Sequence, residues 1–355
     1  MTKPLMIASA LAVIGLVAVT LASTKPAFAD DQLTVVSTGG AWQANLRKAV
    51  LEPFSKATGI KVIEDEFNGE LAKIRAMVQS KTVSWDVFDI DTGMATQLCT
   101  EGVLETIDWN KLGLDRSKFI GADSYECGVP FIVTAAVIAY DKDKLPNGPK
   151  SIADLFDTEK FPGKRGLPKT TLRAVFEWAL IADGVPTKDV YKVLNTPEGV
   201  DRAFKKLDTI KKDVVWWQSN SQALQLLADG QVVMTYAPSN RVYDAVKNSG
   251  KHFGIVWDAQ QRGSGIWAIP KGSPHLDAAY KFLAFAGSPR VQADLTQQVA
   301  LGPTNKDAIA LVDPAMLPHL PTAPDNAGNV LVYDAVFWAE KGDELRQRFT
   351  TWLAK

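Results

Sequence analysis

Read as a succession of apolar and polar positions, the chain opens its regular structure at 33–37 (LTVVS), a short β-branched run that predicts a buried strand. At 43–58 the period changes: Leu46, Val50, Leu51 and Phe54 recur on one face of a predicted helix, and Gly59 stops it. A strand at 60–64, a helix at 70–79 with Leu71, Ile74 and Val78 inward, and a third strand at 85–90 complete a β-α-β-α-β pattern. Such alternation predicts a mainly parallel sheet covered by helices, with ligands met beyond the carboxyl ends of the strands. Two loops lie at such ends: Thr38-Gly39-Gly40-Ala41-Trp42 and Asp91-Thr92-Gly93.

A strand at 134–140 is followed by a turn-rich segment holding Pro146, Asn147, Gly148 and Pro149, and the alternation then restarts. Helices are expected at 171–182, 188–194 and 199–211, a strand at 214–217, a helix ending near Asp229 and a strand at 231–236. Further strands are read at 253–257 and 266–269, helices at 277–285 and 289–298, and a last helix at 341–353. No internal repeat or low-complexity tract interrupts this order.

Length agrees with the restart, because 355 residues exceed what one core organises. The 39 basic and 40 acidic residues leave a formal charge of −1, which gives no electrostatic footprint for nucleic acid. Three histidines (His252, His275, His319) argue against a many-histidine metal site, and no cofactor or metal is called for, whereas ten Trp can wall a pocket.

Lys3 precedes the apolar run 4–22, and Ala27-Phe28-Ala29 fits the small-x-small pattern of signal-peptidase sites. Residues 1–29 are therefore read as a signal peptide cut after Ala29, giving a periplasmic chain; an uncleaved anchor is the competing reading. Export places Cys99 and Cys127 in an oxidising compartment, where two cysteines allow one intramolecular disulfide, and two buried thiols are the alternative.

The stretch 33–108 resembles the spermidine/putrescine-binding family of periplasmic ABC-transporter solute-binding proteins, which have the type II periplasmic binding protein fold. The cues are Gly39-Gly40-Ala41-Trp42, Leu51-Glu52-Pro53-Phe54 with Thr58-Gly59-Ile60-Lys61-Val62, Trp85-Asp86-Val87-Phe88 and Glu101-Gly102-Val103-Leu104. Downstream, Phe161-Pro162-Gly163-Lys164-Arg165, Ala182-Asp183-Gly184-Val185, Leu226-Leu227-Ala228-Asp229-Gly230-Gln231 and Trp267-Ala268-Ile269-Pro270-Lys271-Gly272 continue the likeness in order and spacing. The resemblance implies an α/β protein of two lobes, each a mainly parallel sheet flanked by helices, joined by a hinge of strands that cross twice. The lobes are read as 30–134 plus 267–305 and 135–266 plus 306–355. It also implies a small-molecule ligand, a cognate ABC permease in the inner membrane, a monomeric chain and no catalysis.

The ligand is where the chain departs from polyamine binders, whose clefts carry carboxylates for desolvated ammonium groups. Relatives have acids where this chain has Gly39-Gly40, Arg241 and Ser264-Gly265. Arg241 offers a fork to a carboxylate, and the Gly39-Gly40 turn offers backbone N–H groups at a helix start. A plain tight turn and a surface salt bridge are the bland readings of these two features. An amine-bearing acid such as γ-aminobutyrate is the expectation, with a polyamine as the alternative. Its ammonium would want aromatic walls and one acid, for which Trp42, Trp217, Tyr236, Trp267 and Asp91 are the candidates. Asp91 equally suits a helix cap, and any of the aromatics equally suits a core. Thr38 is a neutral donor in a loop position. An exported hydrolase is a remote alternative, since two carboxylates suffice for a glycosidase.

Overall fold

The computed structural model describes residues 32–355 except Asn68, so the leader and its cleavage point lie outside the described residues. Eight main strands run through the molecule: β1 (Gln32–Ser37), β2 (Lys61–Glu66), β3 (Val87–Asp91), β4 (Val129–Asp141), β5 (Arg165–Pro168), β6 (Val214–Trp217), β7 (Met234–Pro238) and β8 (Phe253–Ala268). They form one path, β2-β1-β3-β8-β4-β7-β5-β6. The neighbours β1–β2, β1–β3, β5–β6 and β5–β7 are parallel, whereas β4 and β8 are antiparallel to each other and to the strands beside them. Each lobe is thus a parallel set closed by the same antiparallel pair, and β4 and β8 are the two crossings.

The sequence pattern cut β8 in two, at 253–257 and 266–269, and started β4 five residues late. The cause is physical: between those pieces run Asp258, Gln260, Gln261, Arg262 and Ser264, of which Gln261 and Ser264 line the cavities while Asp258 bonds Ile152 and Asn329, and Gln260 and Arg262 donate to the Pro321 carbonyl. Pairing shifts between Ala136 and Ile138, where β8 bulges across 257–260 with Ala259 at φ +49°. The bulge is held by the second lobe: the Trp178 indole donates to the Ala259 carbonyl at 2.9 Å, and the Ala259 N–H donates to the Asn329 carbonyl at 3.0 Å.

Alternation along the first-lobe strands buries both faces, as expected for a sheet covered by helices. Leu33, Val35, Val87 and Trp267 pack with Phe54 and Phe282 on one face; Val36, Phe88 and Ile266 pack with Trp85 and Leu98 on the other. Cys99 at the end of the helix Thr92–Thr100 is bonded to Cys127 just before β4, with Cα atoms 5.7 Å apart. The second lobe centres on Phe176, Trp178, Phe204, Trp217, Tyr236 and Phe349, with Val137, Leu227, Ala237 and Phe253 across the sheet. The tail, read as second-lobe, packs in two places. Ala308, Val312, Met316 and Leu320 pack on Ala293 and Ala300 of the first lobe's last helix, while Phe337, Trp338 and Phe349 of the helix Ala335–Leu353 enter the second-lobe core. Among the described residues no helix is long and apolar enough to cross a membrane.

Candidate functional site

Between the lobes lies a cavity of about 680 Å³. Its first-lobe wall is built from strand ends: Thr38 after β1, Trp42 and Asn45 on the helix that follows, Asp89, Ile90 and Asp91 on β3, and Ser264 on β8. Its second-lobe wall is the start of the helix Ser239–Ser249, carrying Asn240, Arg241 and Asp244. A side chamber of about 260 Å³ continues past Thr134 and Asn240 to Tyr236, Gln261, Arg173 and Tyr333. The strand-end rule therefore locates the site from both lobes.

Of the residues singled out in the sequence, Thr38, Trp42, Asp91 and Arg241 meet in the main cavity and Tyr236 lines the side chamber. Arg241 is exposed into the space, and among the described residues no carboxylate lies within salt-bridge distance of it. Tyr236 is buried, and burial pushes its phenol up to about 12.

Three expectations need correction. Trp267 is fully buried in the first-lobe core, its ring stacked on Phe131 at 4.3 Å and edge-on to Phe282 at 5.2 Å, so it buttresses the site without lining it. Trp217 is buried behind Tyr236, with ring centroids 5.7 Å apart, and does not reach the cavity. Its neighbour Trp216 packs on Phe349 and Trp352. The Gly39-Gly40 turn has positive φ, +73° and +59°, but neither glycine lines the main cavity. A Cβ on Gly39 would stand 2.7 Å from Cδ and Oε1 of Glu66, so the protein's own carboxylate lies against this turn.

The structure also adds acids that the sequence reading passed over. Asp89 lies two residues before Asp91 on β3 and therefore on the same face, a signal that strand period alone provides. Its carboxylate is buried and accepts a hydrogen bond from the Trp42 indole Nε1 at 2.8 Å. Burial pushes it up to about 6, with the Trp42 indole and the neighbouring Ser37 hydroxyl acting in the opposite sense. Asp244, one helical turn after Arg241, is raised by partial burial, against the pull of Arg241 and Lys247. Asp91 is differently placed. Its Oδ1 caps the helix Thr92–Thr100 by accepting from the Met94 N–H at 2.9 Å, and its Oδ2 lies 3.8 Å from Arg173 Nη2 across the cleft. Arg173 in turn stacks over Tyr333 at 4.3 Å. No local pattern announces Arg173, because its partners come from the other lobe and from a segment 160 residues later.

Behind the side chamber, Glu177 is fully buried. Its Oε1 accepts from Trp338 Nε1 at 2.9 Å, Gln261 Nε2 at 2.9 Å and the Tyr191 hydroxyl at 3.0 Å. Burial pushes it up to about 7 even so. Among the described residues no group of His, Cys, Asp and Glu is arranged to hold a metal ion.

The comparisons with known proteins follow this geometry. Residues 49–322 match the model of the family described as bacterial extracellular solute-binding protein. The chain is 42% identical over 336 residues to the γ-aminobutyric acid-binding protein of Pseudomonas aeruginosa, covering 94% of this chain and 95% of that one. It is 25% identical to the spermidine/putrescine-binding periplasmic protein of Escherichia coli, over 84% and 85% of the two chains. Among solved structures, the Atu4243-GABA receptor superposes with a TM-score of 0.78 at 35% identity, covering 91% of this chain and 98% of that one. The MotA protein of A. tumefaciens in complex with glucopine gives 0.73 at 34% identity, over 91% and 99%. With the two-lobed fold and the interlobe cavity already in place, these likenesses show that the chain belongs to the bacterial extracellular solute-binding proteins, as a periplasmic, non-catalytic component of an ABC importer.

Proposed function

We propose that the protein captures a small amine-bearing carboxylate, γ-aminobutyrate foremost, between its two lobes and delivers it to the permease of its importer. The observation that carries this reading is the opposition of charges in one cavity: Arg241 on the second-lobe wall, Asp89 and Asp91 on the first. An Arg with no protein carboxylate within salt-bridge distance is suited to a ligand carboxylate, since its planar fork matches that group bidentately. A dipolar ligand lying across the gap would meet both signs and hold the walls together. The names of the P. aeruginosa relative and of the Atu4243 receptor support the same ligand. In this reading Thr38 and Trp42 frame the first-lobe side, and Tyr236 the second. The lobes swing about β4 at 134–136 and β8 at 261–263, the mature chain begins at Asp30 after cleavage behind Ala29, and it acts as a monomer.

Polyamines form a second reading, favoured by one observation: three carboxylates, Asp89, Asp91 and Asp244, line the cavity, more than the sequence reading allowed. A thermal-shift panel on the mature protein, stripped of carried-over ligand, separates the two. At about 100 times its dissociation constant a ligand adds about 2.7 kcal/mol, an easily measured rise in midpoint. A rise with γ-aminobutyrate and none with putrescine or spermidine is expected; the reverse pattern overturns the amino-acid reading.

A further inference from the structure

We propose that Asp89, rather than Asp91, receives the ammonium group of the ligand. The inference rests on the aminocarboxylate reading above and assigns one end of that site. Both aspartates face the same cavity from one strand, yet their surroundings differ. Asp91 is already answered: one oxygen holds the Met94 N–H, the other faces the Arg173 guanidinium, and the residue is only half-buried. Asp89 is 9% exposed and has the Trp42 N–H at 2.8 Å, and among the described residues no Lys, Arg or His comes within salt-bridge distance of it. A buried carboxylate without a countercharge is costly, and the same burial that makes it costly strengthens its attraction for any cation that reaches it. The ligand ammonium supplies that missing charge.

The surroundings suit a cation. Trp42 both fixes the carboxylate through its N–H and presents a ring beside it, and that ring is braced by Phe131, 6.3 Å away, which stacks on Trp267. Trp267 is the residue directly opposite Asp89 across the β3–β8 pair. The elements packed on Asp89 thus show it Ser37 from β1, Trp42 from the following helix and Trp267 from β8, none of them charged; the titratable groups of the cavity are Asp91 on its own strand and Arg241 and Asp244 across the gap. In the free protein Asp89 takes up a proton near pH 6, and an ammonium ligand expels it. Binding therefore weakens about tenfold for each pH unit below about 6 and releases about half a proton per ligand at pH 6.

The test measures γ-aminobutyrate affinity by calorimetry from pH 5 to 7.5 for the wild-type, Asp89→Asn, Asp91→Asn and Asp244→Asn proteins. The expected result is a loss of more than tenfold at pH 7.5 in Asp89→Asn together with a flat pH profile, while Asp91→Asn and Asp244→Asn keep the wild-type slope whatever their affinities. A wild-type slope retained in Asp89→Asn and lost in Asp91→Asn overturns the assignment and leaves the aminocarboxylate reading standing. Should Asp89→Asn fail to fold, Asp89→Ser is measured in its place at pH 7.5, and an affinity within a few-fold of the wild type overturns the proposal. A wild-type protein that binds no aminocarboxylate overturns the reading and this inference together.

Discussion

Asp89 in the first lobe and Glu177 in the second are both buried carboxylates close to the cleft, and both are raised by burial, to about 6 and about 7. Their partners separate them. Glu177 gathers three side-chain donors from β8, from the 335–353 helix and from Tyr191, and is sealed. Asp89 has one such donor and faces the cavity. Held by three donors on one oxygen and closed off, Glu177 ties elements together; held by one donor and open to the cavity, Asp89 is a place for something to bind. A raised value alone would not have told these two apart. The lobes differ likewise in their fastening: a disulfide secures the site-bearing helix of the first, whereas the second relies on Glu177 and a larger aromatic core.

Five measurements break or sharpen this contrast, from the largest expected effect downward. Removing the disulfide with Cys99→Ala and Cys127→Ala is expected to cost about 3–4 kcal/mol by loop-closure entropy, read by denaturant unfolding. Glu177→Ala is expected to destabilise by about 3 kcal/mol, because the Trp338, Gln261 and Tyr191 donors lose their acceptor. Its charge carries a pH signature. A folded-state value above the ordinary carboxylate range means that the native state holds a proton the unfolded chain has released. Stability of the ligand-free protein should therefore fall as pH rises from about 5 to about 7, and Glu177→Gln should flatten the upper part of that fall in a calorimetric scan. If Glu177→Gln leaves the profile unchanged, the two acids do not differ as described.

Arg241→Ala is expected to weaken an acidic ligand by more than tenfold, about 1.4 kcal/mol, with an unaltered unfolding midpoint for the free protein; an unchanged dissociation constant removes Arg241 from the site. The smallest effect belongs to Gly93, where the lobes approach closely. A Cβ there would stand 3.1 Å from Asp91 Oδ1 and 3.6 Å from both Arg173 Nη2 and the Tyr333 hydroxyl. Gly93→Val should lower affinity a few-fold by holding the walls apart, and scattering should show a more extended liganded form; equal affinity would mean that this contact opens freely on closure.

Much of this was legible in the sequence. Strand β6 falls where the pattern put it, and the helices 71–80, 276–286 and 289–299 lie within a residue or two of their expected bounds, because each turns one apolar face to a core. The glycine turn, the disulfide and the placing of Thr38, Trp42, Asp91 and Arg241 at a cleft were legible for the same reason, as loops at strand ends. What local pattern could not show is decided between lobes. The crossing part of β8 is polar because its side chains bond segments far along the chain or line the cleft, and so it reads as a loop; Trp267 reads as a pocket wall because sequence carries no depth; and Arg173 has no sequence neighbour that explains it. The chain by itself thus determined two α/β lobes and the strand ends where a ligand is met, since hydrophobic periodicity is a property of each segment alone. Only the tertiary structure decided which carboxylate is left without a countercharge, because the burial of Asp89 is set by β1, β8 and the far wall together, not by any residue beside it in sequence.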